Sequence, residues 1–210
     1  MQHAGILRIK SREKMIEFLN SEHIGRIASI DRDGYPQVIP MNFAYIDGSV
    51  YMHSHTRGEK LDNVARNPRV GFEVDRELEF LPSYFEDPLD ASVADTLYIS
   101  VVIKGACSIV SDRGEKALAL NGLMTKYQPE GRYEPIRPDM GVVDAVAILK
   151  ITPEVMHGKY KIGQHMSRER RRELAGQILG RGSPTAAETL RVMGFEVTDD
   201  GPRMVDEPVW

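Results

Sequence analysis

Apolar and polar residues alternate along three consecutive stretches early in the chain, and tight-turn residues separate them. The stretches cover 25–31, 37–46 and 49–55, with turns at Arg32-Asp33-Gly34 and Asp47-Gly48. A period of two is typical of strands with one buried face, and Asp-Gly is a strong hairpin signal. The pattern therefore predicts an antiparallel meander. In a chain of this size we expect the meander to close into a barrel, because closure removes free strand edges.

Later β-rich runs and two amphipathic segments complete the predicted domain. Strands are expected over 69–75, 97–110 and 142–151, which brings the number of predicted strands to six. Helices are expected over 12–20 and 113–127, where apolar residues recur at helical spacing, and Ser11 and Asp112 can act as their N-caps. The predicted fold class is therefore mainly β with flanking helices (α+β), built on a six-stranded antiparallel barrel.

Three segments do not follow this pattern. Residues 76–95 are acidic, contain proline and lack periodicity, so we expect a long loop that serves either as a lid or as surface decoration. Residues 128–141 are rich in Pro and Gly and give no prediction. Two short helices are expected after residue 156, because Ser167 and Ser183 are good N-caps. We therefore divide the chain into a barrel, 1–155, and a C-terminal helical extension, 156–210, that packs on the barrel or on a dimer partner.

Composition narrows the function classes. The 210 residues carry a net charge of −4, which does not favour binding to nucleic acid or to a membrane surface. No stretch approaches the roughly 20 apolar residues of a membrane span, so we expect a cytoplasmic protein. Cys107 is the single cysteine and fits a small buried apolar position. The arginines at 168 and 170–172 form one basic cluster, which we interpret as a solvated or ion-paired helix face rather than a nucleic-acid site.

The stretch from Tyr51 to Lys60 has the residue types of a phosphate site. A strand that ends in His53, Ser54 and His55 leads through Gly58 to Lys60 at the start of a short predicted helix. Backbone N–H groups at a helix start carry partial positive charge, and a lysine adds a full charge. The alternative interpretation is a solvated basic turn.

Several segments along the chain form a recognisable set. They are Gly25-Arg26-Ile27-Ala28-Ser29, residues 34–43, Tyr51-Met52-His53-Ser54 with Gly58 and Lys60, Asn67-Pro68-Arg69-Val70, and residues 98–106. In this order they resemble the FMN-binding split β-barrel family, which includes pyridoxamine 5′-phosphate oxidase and nitroimidazole-resistance flavoproteins. The resemblance covers about residues 6–165 and implies a Greek-key-like split barrel and a homodimer with FMN at its interface.

The resemblance also implies roles for individual residues. Lys60 matches the family's phosphate-binding lysine, seven residues before Asn67-Pro68, and Ser54 and His55 match positions that line the phosphate and ribityl chain. Ser100 matches a polar position near the ring or ribityl chain. The strand that meets the isoalloxazine edge carries Ile39, Pro40, Met41 and Asn42.

Residues 153–164 resemble a segment of related FMN-binding regulatory proteins, which adds Lys161 and Gln164 as candidate cofactor contacts. Two positions depart from that segment: Tyr160 replaces a Trp and His165 replaces an Asn. These replacements leave the details of any contact open.

The resemblance implies an FMN-dependent oxidoreductase that reduces a small nitro- or quinone-like acceptor with nicotinamide-derived electrons. The alternatives are a flavin- or haem-binding regulatory or storage protein without turnover, and a deazaflavin-dependent reductase. The arginine-rich signature of the oxidase is absent, so we do not expect pyridoxamine phosphate oxidation. His53 is the candidate proton donor, although a barrel histidine bonded to the backbone is equally compatible. His53-x-His55 lacks a third ligand at diagnostic spacing, so no metal site is expected.

Overall fold

The computed structural model describes residues 5–207. Within these residues the strands are Arg8–Ile9 (β1), Ile24–Ile30 (β2), Pro36–Asn42 (β3), Ala44–Ile46 (β4), Ser49–Ser54 (β5), Arg69–Leu81 (β6), Asp95–Ile109 (β7), Ala147–Lys161 (β8), Phe195–Thr198 (β9) and Gly201–Met204 (β10). The α-helices in the same part of the chain are Arg12–Ser21 (α1), Glu59–Arg66 (α2), Arg113–Tyr127 (α3), Val142–Ala145 (α4), Arg168–Arg181 (α5) and Ala186–Val192 (α6).

Strands β1 to β8 form one mainly antiparallel sheet. Seven of them follow the order β3-β2-β6-β7-β8-β5-β4, and β1 pairs with β8. The two ends of this order, β3 and β4, are consecutive in the chain. A sheet whose end strands are joined in this way must curl toward closure, so the predicted α+β fold of the split-barrel type is confirmed. The prediction missed the short strand β1.

The predicted strand 37–46 is divided at Phe43, which separates β3 from β4. The Tyr127 hydroxyl accepts a hydrogen bond from the Phe43 N–H at 2.8 Å and lies 3.2 Å from the Phe43 carbonyl oxygen. It also donates to the carbonyl of His23. The hydroxyl thus satisfies backbone groups that the sheet leaves unpaired at this residue. The Phe43 ring is fully buried and meets Phe72 edge to face, with ring centroids 5.1 Å apart.

The chain divides into two compact units, each built from separate segments. One unit comprises residues 13–74 and 101–157, and the other comprises the described parts of 1–12, 75–100 and 158–210. The predicted boundary after residue 155 lies close to the change of unit at 157. The segment 75–100, which we assigned to the barrel, groups with the C-terminal residues.

The unit formed by 13–74 and 101–157 has an aliphatic and aromatic core. Its fully buried side chains include Leu19, Ile27, Phe43, Met52, Phe72, Ile103, Ile148 and Leu149. Gly105 on β7 allows a close approach to β8. A Cβ at this position would lie 2.2 Å from the Thr152 carbonyl oxygen.

In the other unit, α5 and α6 pack with the end of β6 through polar anchors. Glu79 is buried and accepts hydrogen bonds from Arg181 at 3.1 Å, from Thr185 at 3.0 Å and from Ser183. The Thr189 hydroxyl donates to the Leu78 carbonyl at 2.8 Å. These bonds satisfy groups that would be costly to bury without partners.

The arginine cluster of α5 is largely ion-paired. Arg168 and Arg171 both contact Glu207 at 2.6 Å, and Arg170 pairs with Glu86 and Glu173. This arrangement favours the predicted ion-paired helix face. Arg171 is buried and also donates to the Met193 carbonyl at 2.8 Å, while its Nε has no partner within the described residues.

Two local predictions were wrong. Strand β6 continues to Leu81, so the predicted loop 76–95 shortens to residues 82–94, which contain two single-turn helices, Ser83–Phe85 and Ala91–Val93. The predicted strand 142–151 begins instead with helix α4, and the strand β8 that follows runs to Lys161.

Other local predictions are confirmed. Helix α3 has the predicted bounds, and the Asp112 side chain caps it by accepting from the Glu115 N–H at 2.7 Å. Ser167 caps α5 by accepting from the Arg170 N–H at 3.1 Å. The β9–β10 hairpin was missed because the tail has no clear alternation.

Candidate functional site

Helix α2 begins after Gly58 in a way that leaves backbone donors free. Gly58 has φ 140° and ψ 160°, a conformation that L side chains rarely adopt, and no side chain caps the helix. The first intrahelical bonds run from Leu61 and Asp62 to the Gly58 carbonyl. The N–H groups of Gly58, Glu59 and Lys60 have no acceptor within residues 5–207. The helix start therefore presents three N–H donors beside one lysine.

The Lys60 side chain is half-buried and has no carboxylate partner among the residues that the structure describes. Its ammonium nitrogen lies 3.2 Å from the Met41 sulfur on β3. A thioether is a weak hydrogen-bond acceptor, so most of the donor capacity of the ammonium remains available. Burial lowers the pKa of Lys60. An anion at this position would favour the charged form.

Strand β3 offers a backbone edge next to this lysine. Pro36 and Pro40 pair with Ile30 and Arg26 of β2. Proline has no N–H, so these two pairs cannot be hydrogen-bonded pairs. Because hydrogen-bonded and non-hydrogen-bonded pairs alternate along an antiparallel ladder, Val38 and Asn42 also lie in non-hydrogen-bonded pairs with β2. The N–H groups of Val38 and Asn42 therefore point away from β2. Since β3 ends the strand order, these two donors face the free edge of the sheet.

The polar residues at the end of β5 are accessible. His53 is exposed and pairs with Ile148 of β8 through the backbone. Ser54 is half-buried, and neither side chain has a hydrogen-bond partner within the described part of the chain. His55 is exposed, and its Nδ1 accepts from the Arg57 N–H at 3.3 Å. This bond closes the turn before α2 and leaves Nε2 free.

Three predicted cofactor contacts, Ser100, Lys161 and Gln164, lie in the other unit. Ser100 is half-buried on β7. Lys161 forms an ion pair with Asp95. The Gln164 side chain closes a local turn, since its Oε1 accepts from the Ile162 N–H at 3.0 Å and its Nε2 donates to the carbonyls of Tyr160 and Ile6. The roles of these three residues stay predictions.

Sequence reasoning missed Asn63, a buried amide on α2 that bonds to β2 and β3. The available signal was a polar residue between Leu61 and Val64 on the apolar face of the helix. It also missed Lys126, whose ammonium donates to the Leu19 carbonyl at 2.9 Å and stands 3.6 Å above the Phe43 ring centre. Burial lowers the pKa of Lys126 to about 8.

Residues 5–207 contain neither a metal-ligating cluster nor a membrane-spanning helix. Within this range no group of three His, Cys, Asp or Glu side chains is arranged to hold a metal ion. None of the helices in the same range combines the length and the apolar character needed to cross a membrane.

The family model described as pyridoxamine 5′-phosphate oxidase matches residues 11–160 of this chain. The chain belongs to this flavin-binding family. The match includes β3, β5 and α2, which carry the lysine, the free N–H groups and the open strand edge described above. A search among curated proteins finds no match.

Solved structures with similar folds have low sequence identity. A candidate 5-nitroimidazole antibiotic resistance protein from Bacteroides thetaiotaomicron is 22% identical, with a TM-score of 0.61, and the match covers 72% of this chain and 85% of that one. The flavocytochrome Anf3 from Azotobacter vinelandii is 18% identical with a TM-score of 0.66 over 77% and 72%. An FAD and heme binding protein from Mycobacterium smegmatis is 18% identical with a TM-score of 0.63 over 74% and 73%. At these identities the likeness shows the fold alone.

Proposed function

We propose that this chain binds FMN, with the phosphate at the start of α2 and the ring along the free edge of β3, and that it is an oxidoreductase. The observation that carries the proposal is Lys60, whose ammonium has no carboxylate partner in the described chain and which lies in the same first turn of α2 as the three free N–H groups. Family membership supports the choice of a flavin.

The residues present fit a phosphate. A phosphate monoester accepts several hydrogen bonds, and hydrogen bonds in which one partner is ionised are about twice as strong as those between neutral groups. The N–H groups of Gly58, Glu59 and Lys60 can donate to its oxygens, the Lys60 ammonium adds charge, and the Ser54 hydroxyl is a further donor. Because the Lys60 side chain is half-buried, its contact with a phosphate would be screened less than at a fully exposed position.

The flavin would supply the hydride and electron transfer chemistry, and the protein would orient and tune it. The N–H groups of Val38 and Asn42 on β3 can donate to the carbonyl and nitrogen acceptors of the ring. Hydrogen-bond donors along that edge would stabilise the forms of the flavin ring that carry more negative charge. His53 is the candidate proton donor, because its imidazole is exposed and has no competing partner in the described chain.

The proposed acceptor is a small nitro- or quinone-like compound, and the proposed electron donor is a nicotinamide. The first test is mass spectrometry of the ligand released from purified yellow protein, which separates FMN from FAD, deazaflavin and haem. The second test is anaerobic reduction by NADH or NADPH followed by addition of an acceptor. Turnover supports the proposed oxidoreductase activity, whereas a bound flavin that neither nicotinamide reduces favours a binding or storage role.

Lys161 and Gln164 are proposed as secondary contacts. Deleting the chain from residue 156 would not test them, because it would remove Gly158 and Lys159, the pairing partners of β1. Lys161→Met and Gln164→Leu are cleaner tests, although both remove the local bonds described above. If either residue touches FMN, its variant should lose more flavin affinity than the loss of thermal stability of the flavin-free protein accounts for.

We further propose a homodimer. The large aromatic side chains of Phe43 and Phe72 are buried within the chain and cannot form an interface. Support comes instead from apolar residues on the β2–β3 hairpin, where Tyr35 is 71% exposed and Val38 is 57% exposed. Contiguous exposed apolar residues are typical of interaction sites. Light scattering that gives a monomer mass for the FMN-loaded protein at micromolar concentration would overturn this proposal.

A further inference from the structure

We infer that Asn63 is a positioning residue of the proposed phosphate site: its amide fixes α2 on strand β3 and so sets the place of Lys60. The inference rests on the proposed function, since it concerns the same site. It assigns to Asn63 an effect on FMN binding that acts through Lys60 and involves no contact with the cofactor.

The Asn63 side chain is the hub of a network between α2 and the β2–β3 hairpin. Only 1% of the residue is exposed. Its Nδ2 donates to the Gln37 Oε1 at 3.3 Å and lies 3.4 Å from the Ser29 hydroxyl oxygen. Its Oδ1 accepts from Arg66 at 2.8 Å, and the same Arg66 nitrogen donates to the Ile30 carbonyl at 2.8 Å. Both ends of the amide are therefore occupied, and its orientation is fixed.

Helix α2 contacts one face of β3 at two points. Gln37 and Met41 have the same parity on the strand and share its half-buried face. Lys60 and Asn63 are three residues apart on the helix and are therefore neighbours on its surface. One link joins Asn63 to Gln37, and the other joins Lys60 to Met41. The Asn63–Gln37 hydrogen bond joins two amides, whereas the Lys60 ammonium contacts only a weak acceptor, the Met41 sulfur. The Asn63–Gln37 bond therefore holds the helix in place, and the Lys60 ammonium stays available to a ligand.

An apolar side chain at position 63 would suit a helix better than asparagine, and Leu61 and Val64 already provide apolar packing. Apolar packing is not directional, however, and it would allow the helix to shift along β3. Hydrogen bonds depend on distance and angle, so the amide network selects one position. A fixed position matters for Lys60, because binding is tighter when the groups that meet the ligand are already in place.

The experiment is a double-mutant cycle on the full chain, with FMN and riboflavin as the two ligands. Asn63→Leu removes the network, and Arg66→Met removes its exposed end. Each is made in the wild type and in the Lys60→Met background. Arg69→Met is the matched control, because the Arg69 side chain is exposed and forms no hydrogen bond or ion pair within the described residues. Flavin fluorescence gives the dissociation constants, and thermal unfolding gives the stability of each variant.

If Asn63 positions Lys60, then Asn63→Leu and Arg66→Met weaken FMN binding by roughly tenfold and leave riboflavin binding within about twofold. In the Lys60→Met background the same changes have less than about a twofold effect on FMN, because the residue through which they act is gone. Arg69→Met has no effect in either background.

Equal losses of FMN affinity in both backgrounds, or equal losses for FMN and riboflavin, would overturn the inference and leave the proposed function intact. If Asn63→Leu does not fold, Arg66→Met decides the question, since its side chain is at the surface. If Lys60→Met itself leaves FMN binding unchanged, the proposed phosphate site is wrong, and the inference falls with it.

Discussion

The ammonium nitrogen of Lys60 lies 3.2 Å from the thioether sulfur of Met41. This contact links α2, whose free N–H groups suit an anion, with β3, whose free edge suits a flat ring. A phosphate oxygen would be a much stronger partner for the ammonium than a thioether sulfur. The Lys60 side chain can therefore accept a ligand without breaking a strong bond within the protein.

Lys60→Met should weaken FMN binding and spare the fold. Methionine keeps most of the apolar stem and removes the charge, so the loss should be about 1.5–3 kcal/mol, the range for a hydrogen bond to a charged group. That loss corresponds to roughly ten- to a hundredfold in the dissociation constant, measured by flavin fluorescence. Riboflavin, which has no phosphate, should bind to the variant and the wild type alike. Equal weakening of both ligands would show that Lys60 does not hold the phosphate.

Gly58→Ala should destabilise the protein through the backbone. A Cβ at this position would meet no atom within 4 Å, so the cost comes from the φ of 140°. Conformations of this kind cost of order 1–3 kcal/mol for residues other than glycine. Gly141→Ala is the control, because Gly141 has φ −62° and equally open surroundings. Urea unfolding should separate the two variants. If they are equally stable, the turn before α2 relaxes without strain.

Glu115→Gln should destabilise the protein at neutral pH and much less in acid. The Lys150 hydrogen bond at 2.7 Å and the Tyr51 hydrogen bond at 2.8 Å hold the pKa of Glu115 below its usual range. The carboxylate therefore adds stability above its unfolded pKa, near 4.3, and this stability is lost as pH falls through the lower folded pKa.

The expected loss for Glu115→Gln at pH 7 is about 1 kcal/mol, typical of a partly exposed charged bond. Urea titrations at pH 7 and at pH 3 measure the change. Glu130→Gln provides the comparison, since Glu130 is exposed and its side chain forms no hydrogen bond or ion pair in the described part of the chain. A difference between the Glu115 variant and the wild type that does not change with pH would contradict the assignment.

The free energy of unfolding should rise with pH between about 8 and 10.5 because of Lys126. Burial lowers the pKa of Lys126 to about 8, so over this range the unfolded chain binds a proton that the folded chain does not. The burial penalty is therefore complete below pH 8 and disappears above the unfolded pKa. Lys126→Met should remove this rise, whereas Lys104→Met, at an exposed position on β7, should retain it. An NMR titration that places the Lys126 midpoint near 10.5 would refute the prediction.

Periodic local signals made most of the fold predictable. The alternation in β2, and the spacing and Asp112 cap of α3, are properties of short segments, and the structure agrees with them. Strand β5 lies where it was predicted, but its burial does not alternate, because Ser49, Val50, Tyr51 and Met52 are all buried. The region from 138 to 146 was not predictable, because distant side chains determine its backbone. Arg113 donates to the Pro138 carbonyl, and Lys116 donates to the carbonyls of Val143 and Val146. No pattern within the segment encodes these bonds, so the β-branched pair at the start of α4 predicts a strand where the structure has a helix.

The candidate site was predictable in part for the same reason. Gly58 and Lys60 lie in a stretch whose residue types predict a phosphate site, and the structure gives Lys60 no carboxylate partner in the described chain. The network of Asn63 depends on Ser29 and Gln37, which are far from it in sequence. Its bonds appear only when α2 is placed on β3, so only the isolated polar residue on an apolar helix face could have indicated it.

The order of the strands in the sheet has a consequence for the rate of folding. Strands β3 and β4 are neighbours in the chain, but the order of the sheet closes only when β5 pairs with β8, with Val50 opposite Ile151. That pair is separated by almost half of the 210 residues. Contacts between residues so far apart slow folding, because the loop entropy is lost before the contact forms. During synthesis the β4–β5 hairpin must therefore wait, with one edge unpaired, until β8 has left the ribosome.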